Sequence, residues 1–297
     1  MNYGFFGKVM RRNSWFILFL FLPGMCVVSS VGAVDCDVVK QELKAERSLK
    51  KKRQILRAVI SQCPDDPDIN YKYALSLERF RKYEEALIYY QKAVFLNPEM
   101  GKAYAGLGDI FIYQGRLVEA LNAYHIARQL MPESKRIMDR LIRLEVKKKA
   151  LDGGVVSVAE FIKVMAHRGK ITSQNPLLLT GPALQYQLAF RTGTSKLLPT
   201  GIRQIAAVGQ AMHNDALKET RYEISVYATS SDLSSSAAFE ESRDRATSIK
   251  NQLITNFFID PQRLMFAWYG DKYTLQYDEG GEQRFVNDRV EFKRLVE

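Results

Sequence analysis

The apolar positions of the chain follow two periods, and the change between them divides the sequence. Over residues 38–62 and 134–150 they recur every three or four positions, as on one face of a helix. A shorter helical pattern follows at 155–165. From Leu184 onwards, alternating stretches typical of strands are interleaved with helical ones. The predicted strands cover residues 184–190, 222–227, 264–269 and 285–292, and the predicted helices between them cover 199–212 and 239–257.

The second set of elements has the order βαβαββ, which predicts an α+β sandwich with its helices on one sheet face. Before it, residues 169–182 are rich in Gly, Ser, Asn and Thr and contain two prolines, which indicates an exposed connection. We therefore expect a helical domain over residues 34–152, a linker over 153–183 and an α+β domain over 184–297.

The helical half contains an internal repeat. Prolines stand at positions 64, 98 and 132, so each interval is 34 residues. Matching apolar and small residues recur at fixed offsets: Tyr73, Ala74, Leu77, Ala86, Tyr90 and Ala93, then Tyr104, Leu107, Gly108, Phe111, Ala120, Tyr124 and Ala127. Over residues 66–132 this pattern resembles tetratricopeptide repeats, which are helix-turn-helix units of that period. The flanking helices are expected to cap the stack.

The resemblance implies an all-α solenoid whose concave groove binds a protein partner. The implied groove-lining residues are Tyr71, Leu75 and Glu78 in the first repeat, and Lys102, Ala105, Asp109 and Ile112 in the second. The alternative is a spacer that packs only on the neighbouring domain.

Residues 1–33 have the pattern of a secretory signal peptide, with a basic start, an apolar centre and small residues before a predicted cleavage after Ala33. An uncleaved anchor is the alternative. Neither Cys26 nor Cys36 follows the small residues that precede a lipid-modified cysteine. Cleavage leaves Cys36 and Cys63, which predict one disulfide in an oxidising compartment. Two free buried thiols are the alternative.

The formal net charge is +10, and the excess of basic residues in the mature chain lies in residues 34–153. The basic cluster at 50–53 sits in a helical pattern and indicates a solvated helix face. Nucleic acid is not expected as a partner of an exported protein. The three histidines show no metal-binding spacing, and no nucleophile elbow or phosphate-binding loop occurs. We expect neither enzymatic activity nor a cofactor.

The second half carries four short blocks in a fixed order. They are Phe190, Leu197, Pro199 and Gly201; Ser242, Arg245 and Ala246; the segment FIDPQRLMFAWYG at 258–270; and Asn287, Arg289, Val290 and Glu291. From Phe190 to Phe292 the chain resembles the OmpA-like domain of bacterial envelope proteins. The resemblance implies a place in the periplasm of a Gram-negative bacterium, with association with the outer membrane as a further expectation.

Domains of this family bind the peptide stem of peptidoglycan without covalent chemistry. An Asp accepts the ammonium group of the diamino acid, an Asn adds a hydrogen bond, and an Arg binds the carboxylate in a planar fork. This chain keeps Arg245 but has Ser230 in place of the Asp and Ala238 in place of the Asn. The binding residues that the resemblance implies are Arg245, Thr229, Ser230, Asp232, Asn287 and Arg289.

Two residue roles stay open at this point. Asp232 either reaches the ammonium group or caps the following turn. Arg245 either binds the ligand or is held by Asp244, by Glu241 (which replaces a Leu of the family) or by Asp288 (which replaces an Arg).

Two functional hypotheses follow. The first is an envelope scaffold that docks on the cell wall and holds a protein partner in its repeats. The second is a degenerate domain in a protein–protein adaptor of an envelope or secretion complex.

Overall fold

The structure is a computed structural model that describes residues 34–169, 179, 181–229, 234–279 and 282–295. The predicted signal peptide lies outside these residues. Within the described part of the chain, no helix is both long and apolar enough to cross a membrane.

Helices make up the first half of the described chain. They are α1 (Cys36–Ala45), α2 (Leu49–Val59), α3 (Pro67–Arg79), α4 (Tyr83–Leu96), α5 (Gly101–Tyr113), α6 (Leu117–Leu130) and α7 (Lys135–Leu151). The prediction of one helix over residues 38–62 is wrong, because the backbone of Glu46 is extended between α1 and α2. Ser48 begins α2 by accepting a hydrogen bond from the N–H of Lys51, a role that favours a helix start over continuation.

The repeat helices pack through tyrosines that lie directly on glycines. Tyr90 of α4 and Tyr124 of α6 are fully buried. A Cβ atom on Gly106 would lie 2.4 Å from the Tyr90 ring, and one on Gly108 would lie 2.5 Å from the Tyr124 ring. Only glycine allows this approach, so there is a direct steric reason for glycine at both positions.

Gly106→Ala should lower the free energy of unfolding by about 1–3 kcal/mol, the usual range for overpacking. Ala is the better helix former by up to about 1 kcal/mol, so a loss of stability would show that the clash outweighs propensity. The ring cannot easily move, because the Tyr90 hydroxyl donates to Glu78 at 2.6 Å. Urea denaturation measures the effect. In a Tyr90→Leu background the same substitution should cost much less, and an unchanged cost would contradict this explanation.

The second half begins with helix α8 (Val158–Met165) and contains two sheets. Its further elements are β1 (Ala183–Tyr186), α9 (Pro199–Met212), β2 (Tyr222–Tyr227), α10 (Ser235–Asn251), β3 (Leu264–Gly270), β4 (Leu275–Glu279), β5 (Glu282–Val286) and β6 (Arg289–Arg294). The main sheet has the order β1-β6-β2-β3, with β2 and β3 parallel and the other pairs antiparallel. Strands β4 and β5 form a separate hairpin.

The predicted βαβαββ order is confirmed for the four strands of the main sheet, and the hairpin is an addition. The strand predicted at 285–292 is wrong as one element, since Asn287 and Asp288 separate β5 from β6. The strand predicted at 184–190 ends at Tyr186, and Phe190 forms only an isolated bridge with Leu197. The helix predicted at 239–257 starts earlier, at Ser235, because Ser234 caps it, and its last turn widens into a π-helix.

Helices α8, α9 and α10 cover one face of the main sheet. Their side chains, among them Phe161, Ile205 and Ile249, pack with Ile224 and Phe292 of the central strands in a single apolar core. Helix α8 lies in the stretch assigned to the linker and takes part in this core. Burial of this apolar surface is the main force that holds the sandwich together.

The two halves of the described chain are in direct contact. Leu275 and Val286 of the hairpin pack in one cluster with Tyr124 and Leu144 of the repeat helices. Lys147 of α7 is buried, and its ammonium group donates to the carbonyls of Leu179 (2.9 Å) and Ala183. Residues 34–297 therefore form one compact unit.

Candidate functional site

Arg245 lies in a cavity of about 500 Å³ on the sandwich. Helix α10 supplies Arg245 and Glu241, the loop before β6 supplies Asp288, and Thr229 follows β2. Phe190 forms part of the wall, and its ring centroid lies 4.8 Å from the guanidinium carbon of Arg245. The end of a strand and one helix thus bring residues distant in sequence to one place.

The guanidinium of Arg245 is held by two carboxylates. It donates to Glu241 Oε1 at 2.5 Å, and its second terminal nitrogen lies 3.4 Å from Asp288 Oδ1. The side chain is only 5% exposed. Its Nε atom is buried and has no partner among the described residues. One cation between two carboxylates leaves the cavity with a formal excess of one negative charge.

Asp288 is itself fixed in place. Its Oδ1 atom accepts hydrogen bonds from the backbone N–H of Thr229 at 2.6 Å and from the Thr229 hydroxyl at 2.9 Å. The same oxygen faces Arg245, so these bonds hold the carboxylate against the guanidinium. A ligand carboxylate would have to replace a partner that the fold already positions.

The structure does not place the other residues implied for this site, apart from Thr229, in the cavity beside Arg245. Ser230 and Asp232 lie outside the described residues. Asn287 does not line the cavity, and its side-chain oxygen is buried without a partner among the described residues. Arg289 points to the opposite face of the sheet, where it donates to Glu291 Oε1 at 2.9 Å. Of the six implied residues, the structure brings Arg245 and Thr229 together.

Arg289 belongs to a buried polar network on that opposite face. Its guanidinium stacks on the Tyr227 ring at 3.6 Å, and Glu291 also contacts Lys293 and accepts from Gln185. Burial works against the charge of Glu291, but the positive charges of Arg289 and Lys293 outweigh it and lower the pKa of the carboxyl. The charged groups of this network are paired with one another within the chain.

The groove residues of the repeats divide into two groups. Glu78 and Asp109 accept hydrogen bonds from Tyr90 and Tyr124, each at 2.6 Å, and Asp109 also pairs with Arg140. Burial raises the pKa of the Glu78 carboxyl, although the hydrogen bond from Tyr90 opposes the shift. These two acids and Ile112 line a cleft of about 340 Å³.

The remaining implied groove residues lie elsewhere. Leu75 lines a different cleft beside α1 and α2. Tyr71 and Ala105 are half-buried and Lys102 is exposed, and none of the three lines either cleft.

Cys36 and Cys63 are joined in a disulfide, which links the start of α1 to the turn after α2. Among the described residues, no group of His, Cys, Asp and Glu side chains could hold a metal ion.

Known families match both halves of the chain. The tetratricopeptide repeat matches residues 52–101 and 71–134, and the OmpA family matches residues 189–288. The chain therefore carries tetratricopeptide repeats followed by an OmpA-family domain. No curated protein matches the chain.

Several solved structures resemble part of the chain. The first TPR of Spaghetti (RPAP3) bound to an HSP90 peptide is 21% identical, with 38% of this chain and 94% of that chain covered and a TM-score of 0.35. The first TPR domain of human RPAP3 is 20% identical, with 38% and 92% covered and a TM-score of 0.35. The Yersinia enterocolitica type III secretion translocator chaperone SycD is 12% identical, with 41% and 93% covered and a TM-score of 0.36.

Proposed function

We propose that this chain is a non-catalytic adaptor of the bacterial cell envelope. Its repeats bind a protein partner, and its OmpA-family domain no longer holds the peptidoglycan stem peptide as the family does. The loss of stem-peptide binding is inferred from the pairing of Arg245 with Glu241 and Asp288. The envelope location rests on the OmpA family match and on the predicted signal peptide.

The physical reason is competition for one guanidinium. A family ligand would offer its carboxylate to Arg245, but Glu241 is already bound there and Asp288 is held by two hydrogen bonds from Thr229. Separating a buried charge pair costs about 2–5 kcal/mol. At about 1.4 kcal/mol for each factor of ten, this reduces the affinity at least tenfold.

Peptidoglycan binding remains the second candidate function, and one observation favours it. The cavity beside Arg245 has a volume of about 500 Å³, and the buried Nε atom of Arg245 is left without a partner among the described residues. A buried polar group without a partner is unusual in a folded protein, and a functional contact is one explanation for it.

Co-sedimentation with purified peptidoglycan distinguishes the two candidates. The mature chain should stay in the supernatant, because its arginine is occupied. Glu241→Leu, which restores the family residue, should raise the sedimented fraction, and adding Ser230→Asp should raise it further. Arg245→Ala in the same background should abolish the gain.

The matched control is Glu240→Leu, which removes the neighbouring exposed carboxylate that pairs with Arg243 instead. It should leave sedimentation unchanged. Thermal melts of all variants verify that they fold. Strong sedimentation of the unmodified chain that is lost in Arg245→Ala would overturn the adaptor proposal in favour of wall binding.

A further inference from the structure

A third concave site, apart from the OmpA-family cavity and from the cleft lined by Glu78 and Asp109, opens at the N-terminal end of the repeats. Helices α1 and α2 both pack on α3. The gap between them forms a cavity of about 620 Å³. Helix α1 precedes the residues that match the repeat family, so this cleft is an addition to the stack.

The floor of the cleft is apolar. Leu43, Leu56 and Leu75 from the three helices form its base. Leu49 and Phe80 stand at its edge and are 50% and 41% exposed. A capping helix pair is expected to present a polar outer face, so the exposed side chains of Leu49 and Phe80 are the apolar surface that a partner would cover here.

The rim of the cleft is basic. Its charged lining residues are Lys40, Lys44, Lys52, Lys72 and Arg79, against the single acid Asp68. Lys40 is already paired with Asp37 and Asp66. The other four cations form no ion pair with any residue that the structure describes. Charge complementarity therefore calls for an anionic partner with apolar side chains.

The shape of the cleft selects a peptide over a flat anionic surface. The cleft is a cavity of about 620 Å³ lined by three helices, and a flat membrane surface lying on its rim would not fill it. The disulfide between Cys36 and Cys63 at one end and the 46–48 turn at the other hold α1 and α2 around the opening. Its volume falls within the range of about 300–1,000 Å³ that is usual for ligand pockets, enough for a few anchoring side chains.

We propose that this cleft docks an acidic amphipathic helix of a protein partner. Its apolar side chains enter between α1 and α2, and its carboxylates face Lys44, Lys52, Lys72 and Arg79. Helix-in-groove recognition uses apolar anchors at three- and four-residue spacing in this way. The inference rests on the proposed function of the repeats and names both the class of partner segment and its place on the chain.

Fluorescence anisotropy tests the proposal with the mature chain and a labelled helical peptide of Leu and Glu in amphipathic order. The peptide should bind saturably and more weakly as salt rises. A matched peptide with Lys in place of Glu should bind at least about tenfold more weakly. The double variant Lys52→Glu/Lys72→Glu should weaken binding of the acidic peptide by about tenfold or more, and Leu49→Ser should weaken it as well.

The matched control is Lys50→Glu/Lys51→Glu, which reverses the same charge on exposed residues of α2 that do not line the cleft. It should bind the acidic peptide almost as the parent chain does. An equal loss in this control would mean unspecific attraction and would overturn the proposal. Absence of saturable binding would overturn it too.

Two further outcomes separate this proposal from the proposed function. If Lys102→Glu weakens binding and the cleft variants do not, the repeats bind a peptide through the predicted groove and the cleft proposal fails. If vesicles of phosphatidylglycerol compete for the cleft as well as the acidic peptide does, the surface binds lipid and the proposal fails. Peptidoglycan sedimentation tests the OmpA-family domain independently of both.

Discussion

The stability of the chain relative to its Lys147→Met variant should rise by about 3–5 kcal/mol between pH 7 and pH 10. Lys147 is 5% exposed, and burial, assisted by the charge of Arg143, lowers the pKa of its ammonium group from 10.5 to about 7. Met has a similar length and no charge, so the comparison isolates the titration.

The direction follows from proton binding in the two states. Between pH 7 and pH 10 the unfolded chain still holds the proton on Lys147, whereas the folded chain has released it. Stability rises with pH wherever the unfolded state binds more protons. Below pH 7 both states hold the proton, and the full cost of burying the charge is present. Met cannot titrate, so the variant lacks this slope.

Urea denaturation at several pH values measures the difference. Lys148→Met is the matched control, because Lys148 is the next residue of α7 and pairs with Asp152 near the surface. That variant should follow the pH dependence of the parent chain. Parallel curves for the parent chain and Lys147→Met would contradict the assignment of a largely neutral buried amine. Loss of the hydrogen bonds to Leu179 and Ala183 shifts the variant by a constant amount and leaves the expected slope difference intact.

Cys36→Ala/Cys63→Ala should lower the free energy of unfolding by about 3–4 kcal/mol. The disulfide spans a sequence separation of 27 and restricts the unfolded chain over that loop. In the folded state it links α1 to the end of α2, and α1 is otherwise attached through the buried side chains of Val39 and Leu43 and the ion pair between Lys40 and Asp66. The variant should therefore also release α1 from α3.

Denaturation of the double variant and of the reduced parent chain should give matching losses, because both remove the same covalent link. Amide hydrogen exchange should increase in α1 and change little in α5, which lies farther along the stack. A loss below about 1 kcal/mol in both samples would contradict the stabilising role. Loss of the acidic peptide's binding on reduction is expected as well, since α1 forms one wall of the cleft.

Much of the fold can be predicted from the sequence, because the periodicity of apolar residues and the positions of Pro and Gly agree with the tertiary packing. The 34-residue interval of the prolines predicts the repeats, and the contact of Tyr124 with Gly108 shows why a small residue stands at this offset, where the preceding repeat has Ala74. The break between α1 and α2 is not predictable from period alone, since residues 46–48 contain neither Pro nor Gly. The hairpin had a usable signal, an alternating stretch around Gly280-Gly281, which favours a tight turn.

In the candidate site, too, some contacts can be predicted from the sequence and others cannot. Glu241 stands four residues before Arg245 on one helix, a spacing that predicts contact. Asp288 is distant in sequence, and its distance from Arg245 is set by the sheet rather than by any local pattern. Burial of Lys147 could not be expected from a run of three lysines, because it depends on the carbonyls of Leu179 and Ala183, which fold back onto α7.

Because the hairpin packs on the helical half, the two halves of this chain are not expected to be stable as separate fragments. A fragment cut after residue 152 would expose Leu144 and its neighbours to water, and the complementary fragment would expose Leu275 and Val286. Both fragments would expose apolar surface to water and would tend to aggregate. Because Leu275 and Val286 pack directly against Tyr124 and Leu144, a displacement of the sandwich would act on the helical half through packed side chains and not only through the connecting chain.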